Sequence, residues 1–330
     1  MRSVWYDKQG AAAEVLQLGE LPDPEPGPGE VRVRLRFSGI NPGDVKKRRG
    51  IEGALMPYPR VVPHSDGAGV IDAVGDGVNP NRIGRRVWVF NAQSYRPFGT
   101  AAQLTVVPSP CAVDLPANVS DQVGACLGIP GITAHRAVFA DGPVTGQTVL
   151  VHGVLGGVAA LAAQLAHRGG ATVIGTVRRA ADLPHVTGAT GPHAVTHAVA
   201  LDRPDAADAI RAHAPHGVDR IIEVAFSANI DLDAAVAKTA AVIAAYATDR
   251  ERPDFPFWPM LFDNITIRLL GSDDFPAEAK QQAAADLTAA AGAGALSITI
   301  GTPVPMDQVA KAHDNVEAGA RARVLLAIPH

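Results

Sequence analysis

The chain has 330 residues, a formal net charge of −4 and two cysteines, Cys111 and Cys126. This length is sufficient for two domains with sizeable cores, while the charge balance argues against a nucleic-acid-binding surface and the two cysteines form neither a disulfide framework nor a zinc motif. Residues 1–8 contain no apolar signal region, and charges, Gly or Pro interrupt every apolar stretch. We therefore expect a cytoplasmic protein without a membrane partner.

The first third of the chain predicts β structure separated by turns. Residues 21–30 are rich in Pro and Gly, and residues 31–37 alternate strictly between apolar and charged side chains. Such alternation is typical of a half-buried strand. Further strands are predicted over 67–75, 86–90 and 102–107. This irregular β pattern favours a partly open β-barrel over a parallel sheet.

From about residue 123 the pattern changes to alternating strands and helices. Helices are predicted between the strands, for instance over 204–214 and 229–238. The predicted strands cover 148–152, 172–176, 194–198, 219–224, 241–246 and 265–270. Six strands with helical crossovers predict a doubly wound parallel sheet.

The last part of the chain mixes both types of element. Helices are predicted there over 277–291 and 306–318, and strands over 296–300 and 323–328. We therefore expect an α/β protein in which a nucleotide-binding domain interrupts a β-rich domain. The expected bounds are 1–122 with 273–330 for the β-rich domain and 123–272 for the nucleotide-binding domain.

The first strand of the alternating region leads into a glycine-rich turn that begins a helix. Backbone N–H groups converge at such a turn, and the helix dipole favours a pyrophosphate there. The three diagnostic positions hold Val154, Gly156 and Ala159, so the first departs from the glycine pattern. A glycine-rich joint without a ligand is the alternative. The turn residues expected to contact a dinucleotide are Gly153, Leu155, Gly156, Gly157 and Val158.

The end of the next strand indicates which dinucleotide is preferred. An NAD-preferring site has an acidic residue there that binds the ribose 2′-hydroxyl. This chain has Thr176, followed by Val177, Arg178 and Arg179. Guanidinium groups suit a 2′-phosphate. We therefore predict NADP(H), with two arginines that merely begin a solvated helix as the alternative.

Short blocks along almost the whole chain match one family of proteins. They are residues 38–44, 65–71, 84–87, 127–134, 149–153 with 156–158, and more weakly 218–223 and 321–325. On these blocks the chain resembles the zinc-free medium-chain dehydrogenases/reductases, in the NADPH:quinone oxidoreductase (zeta-crystallin-like) branch. The resemblance implies a GroES-like, partly open β-barrel interrupted by a Rossmann domain with a six-stranded sheet.

The resemblance also indicates which positions hold a catalytic zinc in zinc-dependent relatives. Here they carry Asn41, Ser65 and Ile129, none of which is a useful zinc ligand. His64 lies one position from the imidazole ligand, and a single His without partners binds zinc poorly. We therefore expect no metal, and acceptors that carry their own electron sink, namely quinones or α,β-unsaturated carbonyls.

Asn41, Asp44 and Lys46 are the candidate catalytic residues. Asn41 stands where the family places a residue near the nicotinamide, with a simple Asn-Pro turn as the alternative. Asp44 is either a direct participant or a structural carboxylate paired with Arg48. Lys46, like Glu52, stands where relatives often have an aromatic residue. It is a candidate donor to a developing oxyanion, or part of a solvated basic run.

Further candidate cofactor contacts come from the family match and from strand ends. Thr133 begins a helix at a family cofactor position, and His197 follows the third strand. Phe226 and Tyr246 follow later strands, at ends where such folds bind ligands, with core packing as the alternative for both. Arg323 replaces a lysine of the family and reaches the cofactor or forms a surface salt bridge. The remaining histidines are expected at the surface.

An aromatic segment, 255–262, precedes the apolar run 265–270, which in this superfamily joins two sheets across a two-fold axis. We therefore expect a homodimer.

The leading hypothesis is an NADPH-dependent reductase of quinones or activated alkenes, acting on a small molecule. The alternatives are a carbonyl or enoyl-thioester reductase on the same fold and, from another class, a catalytically weak NADPH-binding or structural protein.

Overall fold

The computed structural model describes residues 1–50, 55–188, 191 and 193–329. The chain forms two compact units, Met1–Ile132 with Lys280–His330 and Thr133–Ala279. The expected bounds at 122/123 and 272/273 lie ten and seven residues earlier in the chain than these limits. Helix Ile129–Phe139 crosses the first boundary, and helix Ala277–Gly292 crosses the second.

The elements are numbered in chain order. The first segment contains β1 (Arg2–Trp5), α1 (Ala12–Val15), β2 (Gln17–Glu20), β3 (Glu30–Gly39), α2 (Pro42–Arg49), β4 (Asp66–Val74), β5 (Arg86–Val89), β6 (Leu104–Pro108), β7 (Ala112–Asp114) and α3 (Asp121–Gly124). The middle segment contains α4 (Ile129–Phe139), β8 (Thr148–Val151), α5 (Gly157–Arg168), β9 (Thr172–Val177), β10 (His197–Ala200), α6 (Ala206–His213), β11 (Val218–Glu223), α7 (Phe226–Val236), β12 (Ala237–Ala245), α8 (Phe257–Phe262), β13 (Thr266–Leu269) and α9 (Ala277–Gly292). The last segment contains β14 (Val304–Pro305), α10 (Val309–Glu317) and β15 (Leu325–Ala327).

The first unit is built around an open β-sheet. Its strand order is β14-β15-β3-β4-β5-β7, with β6 paired to β3, and the described strands do not close into a barrel. Val31, Val33 and Leu35 of β3 are fully buried, because alternate side chains of a strand point to one face. The predicted strand 296–300 is wrong. Only Ile300 pairs, in an isolated bridge with Arg323.

The second unit contains the predicted parallel sheet, with strand order β10-β9-β8-β11-β12-β13. The order in which successive strands are added to the sheet reverses between β8 and β11. Doubly wound folds bind ligands at such a point. The predicted helix 229–238 ends earlier, at Val236, because Ala237 already pairs with Val218 as the first residue of β12. The aromatic segment, for which no helix was predicted, contains the short helix α8.

Candidate functional site

The glycine-rich turn joins β8 to α5 as the sequence predicts. Gly153 has a φ of +64°, a left-handed conformation that glycine adopts without a steric penalty. Gly156 is the N-cap of α5, its N–H donates to the Gly153 carbonyl at 2.8 Å, and no side chain of the described residues caps the helix. The first N–H groups of α5 therefore remain open to an anion.

Val154 shows how the chain tolerates a side chain at the first diagnostic position. It is fully buried, and its N–H donates to the Thr176 carbonyl at 3.0 Å. A Cβ built on Gly175 would lie 3.1 Å from Val154 Cγ1. The space that Val154 needs is thus provided by a glycine on the neighbouring strand β9.

The end of β9 carries two exposed arginines, Arg178 and Arg179. Arg179 Nε lies 3.6 Å from the Asp182 carboxylate. Arg178 has no partner among the residues that the structure describes, so its guanidinium is available to a ligand. The Asp202 carboxylate accepts the Ala180 N–H at 3.0 Å, which occupies the backbone donor that follows the arginines.

Thr133 and His197, two predicted cofactor contacts, do not lie at the expected positions within their helix and strand. Thr133 is buried inside α4 rather than at its start. His197 does not follow its strand. It is the first residue of β10, which begins three residues later than the predicted strand 194–198. Its ring stacks on His213 with 3.9 Å between ring centroids. The carboxyl edge of β10 therefore lies beyond His197.

Phe226 and Tyr246 do follow strands, but both are engaged in the fold. Phe226 begins α7 and packs in the core of the unit with Ile230. The Tyr246 N–H donates to the Glu223 carbonyl at 3.0 Å, and burial raises the pKa of its hydroxyl. The side chain of Tyr246 is half-buried, whereas Phe226 is a core residue.

A polar cluster in the first unit holds Asn41 on both sides of its amide. Asn41 Nδ2 donates to Asp66 Oδ2 at 2.7 Å, and Asn41 Oδ1 accepts a hydrogen bond from Arg323 at 2.9 Å. The other oxygen of Asp66 accepts the Ile129 N–H at 2.8 Å. Arg323 therefore binds Asn41 rather than forming a surface salt bridge. These contacts leave one amide N–H of Asn41 unused.

Asp44 caps the helix that Asn41 begins. Its Oδ2 accepts the Asn41 N–H at 2.7 Å. Burial raises the pKa of Asp44 to about 7, and the nearby Asp66 charge acts in the same direction. The expected pairing with Arg48 is wrong, because the buried Arg48 guanidinium contacts Glu317 at 3.2 Å instead. Asp44 thus orients Asn41 from within the protein.

Lys46 lies on the exposed face of α2 and has no partner among the described residues. Its ammonium group is therefore free to donate to a ligand. Glu52, the other position at which relatives often have an aromatic residue, lies outside the described residues.

The structure also shows what the side chains or backbone groups do at the three positions that hold zinc in zinc-dependent relatives. Asn41 offers an amide already bonded twice, Ser65 is buried, and Ile129 contributes its backbone N–H. A Cβ at position 128 would lie 2.1 Å from Asp66 Oδ1, so the approach of Asp66 to this cluster requires Gly128.

Contrary to the expected surface location, His152 and His313 are fully buried, and His64 is fully buried as well. His64 and His313 face each other with 2.9 Å between their Nε2 atoms, and His64 Nδ1 lies 2.8 Å from Ser38 Oγ. Burial lowers the pKa of both imidazoles, and that of His313 falls to about 3. Both rings are therefore neutral at physiological pH.

His152 belongs to a second buried cluster, in the nucleotide-binding unit. Its Nε2 lies 2.9 Å from Asp233 Oδ1 and 3.6 Å from Glu223 Oε2, and its Nδ1 lies 2.9 Å from Thr176 Oγ1. Across the described chain, this trio alone brings three potential metal-ligand atoms within 4.8 Å of one another. The sequence signal that could have found it is an ionisable residue directly after a short apolar run in each of two strands, His152 after residues 149–151 and Glu223 after residues 221–222.

Comparisons with known proteins decide the family. Residues 27–117 match the alcohol dehydrogenase GroES-like domain. Over 320 residues, covering 94% of this chain and 92% of the relative, the sequence is 30% identical to human quinone oxidoreductase. The chain belongs to the quinone oxidoreductase family of medium-chain dehydrogenases/reductases. It is therefore an NAD(P)H-dependent oxidoreductase, and the fold expected from the resemblance is confirmed.

Solved structures agree with this family fold. An NAD-dependent alcohol dehydrogenase superposes with a TM-score of 0.86 at 25% identity, with full coverage of both chains. A mycobacterial protein solved as a complex with NADPH has a TM-score of 0.83 at 24% identity, also with full coverage. Within the described ranges, no helix has the length and apolarity that a bilayer crossing requires.

Proposed function

We propose that this protein transfers a hydride from NADPH to a quinone or an α,β-unsaturated carbonyl, without a metal. The observation that carries the proposal is the end of β9. Arg178 is exposed there without a described partner, and the first acidic residue after the strand is Asp182. A planar guanidinium suits the 2′-phosphate that distinguishes NADPH from NADH.

The residues of the second unit fit such a cofactor. The uncapped N-terminus of α5 and the side-chain-free Gly156 would hold the pyrophosphate, and Arg178 would hold the 2′-phosphate. NADPH, when bound, supplies the hydride. The complex of a mycobacterial relative of this fold with NADPH is consistent with this assignment.

Two residues of the first unit are our candidates for contact with the acceptor. Hydride addition to a quinone or enone leaves negative charge on the acceptor oxygen, which a preorganised donor stabilises. Asn41 retains one amide N–H, and Lys46 has a free ammonium. Asp44 acts on Asn41 as a positioning residue through the 2.7 Å bond to its N–H. No zinc ligand is needed for this chemistry.

Steady-state oxidation of NADPH and NADH tests the proposal, each with a quinone, an alkenal and a simple ketone. We expect NADPH to be consumed much faster than NADH, with the quinone or the alkenal only, and at a rate that prior chelation does not change. Turnover of the ketone alone would instead support the carbonyl reductase. NADPH binding without turnover of any acceptor would support the non-enzymatic alternative.

We also propose that the protein is a homodimer joined through the edge of the parallel sheet. β13 ends that sheet and has β12 as its described neighbour. The adjacent α8 exposes Phe257, Trp258 and Phe262 to solvent. An unpaired strand edge beside an exposed aromatic patch is typical of an interaction surface.

A further inference from the structure

Three ionisable side chains meet where the strand order of the parallel sheet reverses. His152 follows β8, Glu223 ends the adjacent strand β11, and Asp233 lies in α7. All three are fully buried. Because the carboxyl ends of strands at such a reversal form the ligand-binding edge of doubly wound sheets, this cluster lies directly behind the nucleotide-binding turn.

Hydrogen bonds connect the cluster to that turn. A carboxylate can only accept, so His152 Nε2 donates its hydrogen to Asp233 at 2.9 Å. On its other side, His152 Nδ1 lies 2.9 Å from the Thr176 hydroxyl, which also accepts the Gly153 N–H at 3.4 Å. The Thr176 carbonyl accepts the Val154 N–H at 3.0 Å. One continuous path of hydrogen bonds therefore joins a buried carboxylate to the Gly153 N–H of the turn.

The cluster carries more acid than base. One imidazole faces two carboxylates, and Asp233 Oδ2 has no partner among the described residues. Although burial disfavours the imidazolium, the two carboxylates raise the pKa of His152. Burial, with the Asp233 charge, raises the pKa of Glu223 towards neutrality, and Tyr246 is the remaining titratable group that faces it. A buried cluster of this kind retains a proton that isolated carboxylates would lose.

We infer that His152 is a positioning residue, which ties the glycine-rich turn to a proton that it shares with Glu223 and makes nucleotide affinity depend on that proton. The inference rests on the proposed function, since it requires the turn to bind a dinucleotide. With one shared proton, the imidazole and the two carboxylates together have a net charge of −1. Loss of that proton leaves a net charge of −2 buried behind a turn that binds pyrophosphate, and like charges repel strongly where water is excluded. Nucleotide binding should therefore take up protons near neutral pH.

Titration calorimetry with NADPH, in two buffers of different ionisation enthalpy, measures this uptake directly. At pH 7.5 the wild type should take up a fraction of a proton per NADPH, and Glu223→Gln should take up none. Asp231→Asn is the control, because Asp231 is an exposed carboxylate on α7, the helix that carries Asp233, and should leave the uptake unchanged. Equal uptake by wild type and Glu223→Gln would overturn the inference while leaving the proposed function intact. Failure of the folded wild type to bind NADPH would overturn the proposed function itself.

A second pair of variants tests the hydrogen bonds of the Thr176 hydroxyl without changing the ionisable residues of the cluster. Thr176→Val removes the hydroxyl between His152 and Gly153 but keeps the side-chain shape, whereas Thr176→Ser keeps the hydroxyl. We expect Thr176→Val to weaken NADPH binding about tenfold, as loss of a hydrogen bond to a charged group does, and Thr176→Ser to bind like the wild type. Equal NADPH affinity of Thr176→Val and Thr176→Ser would contradict the role of the Thr176 hydroxyl in connecting His152 to the turn. One equivalent of tightly held divalent metal in the purified protein would contradict the shared proton, because a metal ion would take its place.

Discussion

Arg178 is the residue on which the choice of cofactor should depend. Removing its guanidinium in Arg178→Ala takes away a charge-assisted contact to the 2′-phosphate, which is worth about 1.5–3 kcal/mol. We expect the Kd for NADPH to rise about 10- to 100-fold while the Kd for NADH stays unchanged, measured by fluorescence titration.

Arg179→Ala is the matched control for that measurement. Arg179 is exposed like its neighbour, but its guanidinium faces Asp182 at 3.6 Å. We expect a smaller loss of NADPH affinity than in Arg178→Ala. An equal loss of affinity for both cofactors in Arg178→Ala would show that this residue does not read the 2′-phosphate.

The buried pair His64 and His313 should make the protein sensitive to acid. Burial lowers the pKa of His313 to about 3, whereas an unfolded chain protonates histidine near 6.5. The contribution of a neutral buried ring is complete above about pH 6.5 and is lost as the pH falls, because only the unfolded state takes up the proton. From pH 7 to pH 5, His313 alone should lower the free energy of unfolding by about 2 kcal/mol.

Urea unfolding of His313→Gln at both pH values tests this expectation. The variant cannot titrate, so its free energy of unfolding should fall less between pH 7 and pH 5 than that of the wild type. His216→Gln changes an exposed histidine and should follow the wild-type dependence. Parallel pH dependences of His313→Gln and the wild type would refute the assignment.

At the scale of elements, the join between β9 and the glycine-rich turn depends on Gly175. A Cβ there would lie 2.8 Å from Val195 Cγ2 and 3.1 Å from Val154 Cγ1. Gly175→Ala should therefore destabilise the protein by about 1–3 kcal/mol, as overpacking does, in thermal or urea unfolding. The cost should shrink in a Val195→Ala background, which removes the nearest methyl group. Gly271→Ala, at a glycine with nothing within 4 Å of the added Cβ, should be close to neutral.

The sequence predicted those elements whose signal is local. The alternation of residues 31–37 and the apolar runs of the parallel strands report burial directly, so β3 and the six-stranded sheet were found. The strand predicted over 296–300 has equally suitable residues, but it forms only one bridge because strand formation also requires a neighbouring strand. Periodicity within one segment does not reveal that partner.

The buried histidine clusters were missed for a related reason. His152 and Asp233 are 81 residues apart in sequence, and His64 and His313 are 249 apart. Spacing rules detect ligands that lie close together in one segment, whereas these pairs arise only when distant elements pack. The cofactor turn was predictable because strand, turn and helix are contiguous. The polar partners of Asn41 were not, since Arg323 comes from the far end of the chain.

At the scale of the whole molecule, the homodimer is the expectation with the most direct test. Phe257, Trp258 and Phe262 are 51%, 65% and 74% exposed, which is unusual for a cluster of large apolar side chains on one short helix. Their rings contact one another. The centroid of the Trp258 ring lies 5.4 Å from that of Phe257 and 6.2 Å from that of Phe262. A second copy of the chain would remove from water both this patch and the edge of β13 that has no described neighbour.

Trp258→Arg should therefore shift the protein from dimer to monomer in sedimentation velocity or light scattering. Aromatic residues at the centre of an interface often contribute 2 kcal/mol or more to binding, so the dimer Kd should rise by roughly 30-fold or more. The monomeric variant should keep its far-UV circular dichroism, since Trp258 is not a core residue of the unit. Ile83→Arg replaces an exposed apolar residue of the first unit and should leave the dimer intact. A monomeric wild type, or a dimer that survives Trp258→Arg unchanged, would exclude this patch as the subunit interface and leave its exposure without a partner.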